Sequence, residues 1–270
     1  MSRGQGRENN GYWEEQLLIH SYDVNLSRRL TMESLLRYFQ EAAWNHAEHL
    51  GRGYSHLLAR NQVWVLSRMM VVVDSYPEWG ETVLLRTWPC GSVSLLALRD
   101  FEMLDQNGGR LLGATTGWLV LDLQSRRPQR IEPILESISE FPRHRALEME
   151  APRLAAISVV DAGAGREVRY SDLDLNDHVN NAAYTRWILD TYPIDFHRAY
   201  RLRSIALNFL AEVGEDDSVI IRKADVEELR FAHTVQRSID GTDVCRAELI
   251  WEPTGTSRIS DSQLPADGTR

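Results

Sequence analysis

Residues 170–181 hold the densest set of groups able to do chemistry in this 270-residue chain. There Asp174, Asn176 and His178 alternate with Leu175 and Asp177. In an extended segment, side chains at i, i+2 and i+4 project to one side, so these three would converge. A carboxylate can take a proton, while an amide and an imidazole can donate to an oxygen. The set suits activation of a water molecule and polarisation of a carbonyl. Other readings of the same residues compete with this one. Asp172-x-Asp174-x-Asn176 resembles the start of a calcium loop, but Asp177 stands where glycine is needed and Ala183 where a bidentate glutamate is needed. Zinc would require further His or Cys at ligand spacing, and none is adjacent. An Asp/Asn-rich turn that caps a helix over a satisfied histidine accounts for the residues without any chemistry.

The elements that position this segment follow from the hydrophobic pattern. Met32, Leu35, Leu36, Phe39, Ala42, Ala43, His46 and Leu50 keep helical spacing, with Thr31 as N-cap and Gly51 closing the run. Strand patterns follow over Val63–Val73, Thr82–Trp88, Leu95–Leu104 and Leu111–Leu123, with Asn107-Gly108 as a hairpin turn. The second half repeats this order. Asn180 and Asn181 can cap a helix through Tyr184, Trp187, Ile188 and Leu189, stopped by Pro193. Strands then fit Arg203–Ala211, Val219–Val226, Ala232–Ser238 and Cys245–Trp251, with Asp240-Gly241 as the late turn. Trp118 and Trp251 each follow their turn glycine by ten residues.

Aligning Tyr22 with Tyr170, an offset of 148, puts Phe39 on Trp187 and sets Leu26, Arg28 and Leu30 opposite Asp174, Asn176 and His178. On that alignment the first copy lacks the polar set. One long helix followed by an antiparallel meander is an α+β unit in which a sheet wraps a helix. The expected organisation is a disordered segment 1–10, an N-terminal unit 11–147, an Ala/Gly/Pro-rich linker 148–165, a C-terminal unit 166–253 and a disordered tail 254–270.

Composition bounds the function. With 39 acidic and 30 basic residues and a net charge of −9, the chain has no global basic footprint for nucleic acid. Cys90 and Cys245 can form neither a disulfide framework nor a cysteine zinc site, which favours the reducing cytosol. The first ten residues lack the apolar core of a signal peptide. Apolar stretches such as Met69–Val73 fall far short of the ~20 residues that cross a bilayer, so a soluble protein without integral membrane association is expected.

The run Asp174 to Asn181, with Tyr184 and Trp187-Ile188-Leu189 behind it, resembles the signature of the plant and bacterial acyl-acyl carrier protein (ACP) thioesterases. The resemblance covers about Glu15 to Pro253. It is carried also by Ser21-Tyr22-Asp23-Val24, Trp64 to Met69, Val71 to Gly80, Arg99-Asp100-Phe101, Arg126-Arg127 and Ile131-Glu132-Pro133, in family order. It implies an α+β tandem double hotdog: two units, each a curled antiparallel sheet around a central helix. It implies hydrolysis of fatty acyl-ACP to free fatty acid, without metal or cofactor. The catalytic set would be Asp174, Asn176 and His178, with Glu212 as a fourth member known only through the resemblance. Plant members often carry a cysteine after that glutamate, and this chain has Val213. Either Glu212 acts as base for water or Asp174 attacks the thioester directly.

By family analogy Trp44, Trp64, Met69, Met70, Leu35, Leu36 and Phe39 are candidates to line an acyl tunnel, although ordinary core packing competes at each. An acidic carrier protein needs a local positive face on this acidic chain. Candidates are Arg126, Arg127, Arg130, Arg143, Arg145, Arg198, Arg201 and Arg203. Monomer and homodimer are both open. Alternatives are an acyl-CoA thioesterase on the same scaffold, a hotdog enoyl hydratase and a non-enzymatic acyl-binding sensor. The hydratase motif is broken by Leu173 and Asp177.

Overall fold

The computed structural model describes residues 6–131, 142, 144–157 and 163–255. In the N-terminal half the strands are β1 (Arg7–Asn9), β2 (Tyr12–Leu18), β3 (Gln62–Val73), β4 (Thr82–Val93), β5 (Leu96–Leu104) and β6 (Arg110–Asp122). Helices α1 (Met32–His49) and α2 (Tyr54–Leu58) lie between β2 and β3. The C-terminal half has β7 (Ala164–Glu167), helices α3 (Asn181–Leu189) and α4 (Ile194–Ala199), then β8 (Tyr200–Phe209), β9 (Ser218–Glu227), β10 (Arg230–Arg237) and β11 (Asp243–Pro253).

All eleven strands form one antiparallel sheet, ordered β1-β2-β4-β5-β6-β3-β8-β11-β10-β9-β7. Read outward from the centre, β3-β6-β5-β4-β2 and β8-β11-β10-β9-β7 have the same connectivity. The fold is therefore a double hotdog, joined where β3 pairs with β8 from Arg68–Asn208 to Val72–Ser204. Glu33 of α1 meets Arg186 of α3 at 3.2 Å, and Asn180 donates to Gln40 at 3.3 Å, so the helices also meet across the join.

Local sequence explains the helices. Thr31 Oγ1 accepts from Ser34 N at 3.1 Å, satisfying a donor that the first turn leaves open. The apolar stripe of α1 is buried against the sheet, and Phe39 stacks on Phe101 at 4.4 Å. Gly51, with φ +65°, follows the C-cap in the left-handed region that a side chain disfavours. Asn180 caps α3 through Ala182 N at 2.9 Å. Leu189 ends α3, and Pro193 restarts the chain as the N-cap of α4.

The repeat is real but its register differs by one residue from the expected one. Asp23 Oδ2 accepts from His20 N (3.1 Å) and Tyr38 OH (2.7 Å); Asp172 accepts from Arg169 N (2.8 Å) and Trp187 Nε1 (3.2 Å). Thr31 N bonds Asp23 O, as Asn180 N bonds Asp172 O. Each pair is separated by 149 residues. Asn25, Ser27 and Arg29 therefore oppose Asp174, Asn176 and His178, in place of Leu26, Arg28 and Leu30. Tyr38, not Phe39, matches Trp187. Aromatic anchors tolerate a one-residue slip on paper, whereas buried hydrogen bonds do not.

Two boundary expectations also change. Within the expected disordered 1–10, Arg7–Asn9 pairs with Tyr12–Glu14 as a strand. Residues 151–157 of the expected linker are fastened to the sheet: Leu154 N donates to Asn208 Oδ1 (2.8 Å) and Asn208 Nδ2 to Pro152 O (2.9 Å). Ala164 and Gly165 already belong to β7. Thr254 N bonds Ala199 O, and residues 256–270 of the expected tail lie outside the described residues.

Candidate active site

Residues 173–179 form a closed loop, not the extended lead-in expected. A bridge pairs Leu173 with Val179, Asp174 N donates to His178 O (2.8 Å), and Asp177 N to Asp174 O (3.1 Å). Asp174 Oδ1 accepts from Asn176 N at 2.8 Å, an Asx turn, and Asp177 is left-handed with φ 59°. Convergence thus arises from a turn rather than from strand alternation. Accordingly Leu175 and Asp177 line the same cavity as Asp174, Asn176 and His178.

The structure brings Glu212 to this loop. Glu212 follows β8, and Val179 N donates to Val213 O at 2.9 Å, locking the two loops together. His178 Nε2 then lies 3.4 Å from Glu212 Oε2. Arg237 Nη1 donates to the Glu212 carbonyl at 3.3 Å. Val213 is buried and its carbonyl serves this lock. The same bond in the first half runs from Leu30 N to Pro77 O, which puts Tyr76 in the place of Glu212. Of these two matching loops, both within the described residues, the second alone sets Asp174, His178 and Glu212 on one cavity.

All four residues border a cavity of ≈ 880 Å³ between the halves. The rest of its lining is largely apolar and aromatic, with Trp44, Trp64, Leu66, Trp118 and Phe209. Of the expected tunnel residues, Trp44 and Trp64 line it. Leu35, Leu36, Phe39 and Met69 are buried core instead, and Met70 is also absent from the wall. The helix face bearing that stripe packs on the sheet, with Phe39 against Phe101.

Arg99 is a cation in this wall. Its Nη1 donates to Thr87 Oγ1 (3.1 Å) and meets His46 Nδ1 at 3.2 Å. An arginine only donates, so His46 accepts at Nδ1 and carries its proton on Nε2. Burial, with Arg99 and then His49 adding repulsion, pushes His46 down to about 3. Burial likewise lowers Arg99 to about 10, still protonated at neutral pH.

The competing chemistries lose their groups. Asp172 is buried and holds Arg186 and Trp187, so it cannot open a calcium loop. Cys90 and Cys245 lie outside the cavity wall, and burial raises both thiols well above the ordinary range, against a thiolate nucleophile. The expected basic face is also thinned. Arg145 pairs with Asp100, Arg198 with Asp195, Arg201 with Glu252 and Arg203 with Asp74, at 2.7–3.1 Å. Arg143 lies outside the described residues. Arg126 is bonded to Glu212, so it belongs to the site itself. Arg127 and Arg130 are exposed and have no ion pair among the described residues.

Comparison with known proteins bears on this arrangement. The family model of the acyl-ACP thioesterase N-terminal domain matches residues 11–138, and that of the C-terminal domain residues 162–253. The chloroplastic palmitoyl-acyl carrier protein thioesterase of Gossypium hirsutum is 29% identical over 89% of this chain and 64% of its own length. The protein of the same name from Arabidopsis thaliana is 30% identical, over 90% and 65%. The chain thus spans just under two thirds of these plant relatives. An acyl-ACP thioesterase structure from Bacteroides thetaiotaomicron superposes with a TM-score of 0.80 at 29% identity, covering 90% of this chain and 98% of that one. The 12:0-ACP thioesterase from Umbellularia californica gives 0.81 at 26%, covering 92% and 99%.

Proposed function

The chain belongs to the acyl-ACP thioesterase family, and from that premise we infer that it hydrolyses the thioester of a fatty acyl group on acyl carrier protein. Free fatty acid leaves and chain elongation ends. The observation that carries this reading is that Asp174, Asn176, His178 and Glu212 border one cavity whose other lining is largely aromatic and aliphatic. An apolar chain gains by leaving water for such a wall. Its thioester carbon would then stand before the carboxylates.

Glu212 is the base in this scheme. It takes a proton from water as the oxygen bonds to the thioester carbon. Asn176 and His178 donate to the carbonyl oxygen as it becomes an oxyanion, the largest electrostatic demand of the step. The C–S bond then breaks, and the thiolate of the carrier's pantetheine arm receives the proton. Asp174 shapes the loop through its Asx turn and adds a second carboxylate. No resident metal or redox group enters these steps. The rival route, direct attack by Asp174 through a mixed anhydride, differs in one observable. Single turnover in oxygen-18 water labels only the fatty acid if Glu212 activates water, whereas label in the Asp174 carboxylate marks the anhydride route, in which water opens the anhydride at the Asp174 carbon.

In this reading the N-terminal unit (11–147) holds the acyl chain and the C-terminal unit (166–253) supplies the chemistry. The two hotdogs pair within one chain, compatible with a monomer as well as a homodimer. No helix among the described residues is long and apolar enough to cross a membrane. The unpaired cysteines suit the cytoplasm. The deciding experiment is steady-state hydrolysis of one acyl group carried on ACP and on coenzyme A, with released acid identified by mass spectrometry. Faster turnover of acyl-ACP supports the reading. Preference for acyl-CoA, or retention of ligand without release of acid, overturns it.

A further inference from the structure

Arg126 reaches across the join between the halves. It follows β6 in the N-terminal unit, yet its Nη2 donates to Oε2 of Glu212 in the C-terminal unit. His178 Nε2 faces that same oxygen at 3.4 Å. Oε1 of Glu212 has no hydrogen-bond partner among the described residues.

The turn that presents Arg126 is heavily determined. Asp122 Oδ1 accepts from Ser125 N (2.7 Å) and Ser125 Oγ (2.9 Å), and Oδ2 accepts from Asn61 Nδ2 (3.1 Å). Arg126 N donates to Asp122 O at 2.9 Å, and Asp122 N to Arg127 O at 3.0 Å. The Ser125 bonds hold the Asp122 carboxyl below its usual range, keeping this acceptor charged. The outcome is φ 57° at Arg126, a left-handed conformation uncommon for a long side chain. Such strain persists where surrounding contacts impose it, and it clusters at functional sites.

We propose that Arg126 is a positioning residue for Glu212. Glutamate is half-exposed here and has three rotatable bonds, so the histidine alone would hold it loosely. The guanidinium fixes Oε2 and leaves Oε1 to receive the water proton. The charged groups around Glu212 are few. Arg237 of β10 contacts its carbonyl and is itself held by Asp240, while His178, Asp174 and Asp177 come from the facing loop. Arg126 is the one permanent cation on the carboxylate among the described residues. The N-terminal hotdog thus completes the site of the C-terminal one. This inference rests on the thioester-hydrolase reading above.

The test compares wild type, Arg126→Gln and Arg126→Lys on the same acyl group, carried either by ACP or by a small pantetheine thioester. For Arg126→Gln, kcat should fall roughly ten- to a hundredfold on both substrates with KM little changed, the signature of a misplaced base. Arg126→Lys, which restores the cation without the planar fork, should recover part of the lost kcat. A rise in KM confined to the ACP substrate, with kcat unchanged, would make Arg126 a docking cation and overturn the proposal. A second readout needs no activity: the carboxyl carbon of Glu212, assigned through its disappearance in Glu212→Gln, is followed by NMR. Its resonance should move in Arg126→Gln and return toward the wild-type position in Arg126→Lys. A resonance unmoved in Arg126→Gln overturns the proposal. Wild type inactive on both thioesters would sink the hydrolase reading instead, and the resonance would still decide the contact.

Discussion

Asn25 and Asp174 hold the same place in the two halves: each side-chain Oδ1 accepts the main-chain N–H two residues on, at 2.9 and 2.8 Å. Each closes a loop whose next bonds also match, Asn25 N to Arg29 O and Asp174 N to His178 O. The turn therefore needs an oxygen acceptor there and does not need a charge. The N-terminal half shows that asparagine suffices.

This separates structure from chemistry at Asp174. Asp174→Asn should keep the melting temperature close to wild type, because the amide oxygen preserves the Asx turn. Asp174→Ala should lose about 1 kcal/mol with that bond. Hydrolysis should fall by about a hundredfold or more in both if the carboxylate is chemical. Calorimetry beside released fatty acid checks this, and an Asp174→Asn protein of normal activity would reduce the residue to a loop former.

Glu212 should be more sensitive than its exposure suggests. Removing a general base costs roughly 10²–10⁴ in rate. Glu212→Gln keeps the shape and can still accept from Arg126, so folding should be unaffected while kcat falls in that range. His178→Asn, which keeps one donor, should retain more activity than His178→Ala. Equal rates for the two His178 variants would show that no donor is used there.

The two-unit architecture was legible because apolar periodicity and turn glycines survive in both copies. The exact register was not. Tyr22 and Tyr170 are exposed and bear no load, whereas Asp23 and Asp172 are buried acceptors that fix the match. Polarity separates neither pair in one sequence. Strands β2 and β7 lacked a signal for a related reason: short strands next to or at a sheet edge, with charged residues such as Glu14, Glu15, Arg166 and Glu167, read as loop. Asp174, Asn176 and His178 stood out as a cluster. Glu212 needed family resemblance, since a lone acid after a strand has no local signature. Arg126 looked like a docking residue, and only folding reveals that it meets Glu212, distant in sequence.

Acid should destabilise the fold in two windows. His46 and His233 are both held near a pKa of about 3 by burial, against 6.5 ordinarily, with nearby cations adding repulsion. Between these values the unfolded chain binds protons that the native state refuses. Their contribution is complete above about pH 6.5 and is lost as pH falls toward 3, at roughly 1 kcal/mol per pH unit for each ring. Asp240, lowered to about 2 chiefly by its bond from Arg237, loses its contribution between about pH 4 and 2. Urea midpoints measured from pH 7.5 to 4 should fall steadily in wild type. The slope should be shallower in His233→Phe, even though that variant leaves Tyr192 OH without its 3.2 Å partner. An equal slope would mean that His233 is not held neutral.

Carrier docking should depend on Arg127 and Arg130. The chain as a whole is acidic, so an acidic carrier must find a restricted positive face. Arg145, Arg198, Arg201 and Arg203 are already matched to carboxylates, which leaves little net field at those places. Arg127 and Arg130 lie within two residues of Pro128, which lines the cavity, so on the proposed reading they are near the site that a carrier must approach. Reversing both charges should raise KM for acyl-ACP about tenfold, with kcat on a small pantetheine thioester unchanged. At 0.15 M ionic strength surface charges act over roughly 8 Å, and at 1 M over about 3 Å. Raising salt across that range should therefore depress kcat/KM for acyl-ACP in wild type far more than in the double variant, and should barely touch the small substrate. Equal salt sensitivity for carrier and small substrate would show that docking is not electrostatic. An unaltered KM in the double variant would move the docking face away from this turn.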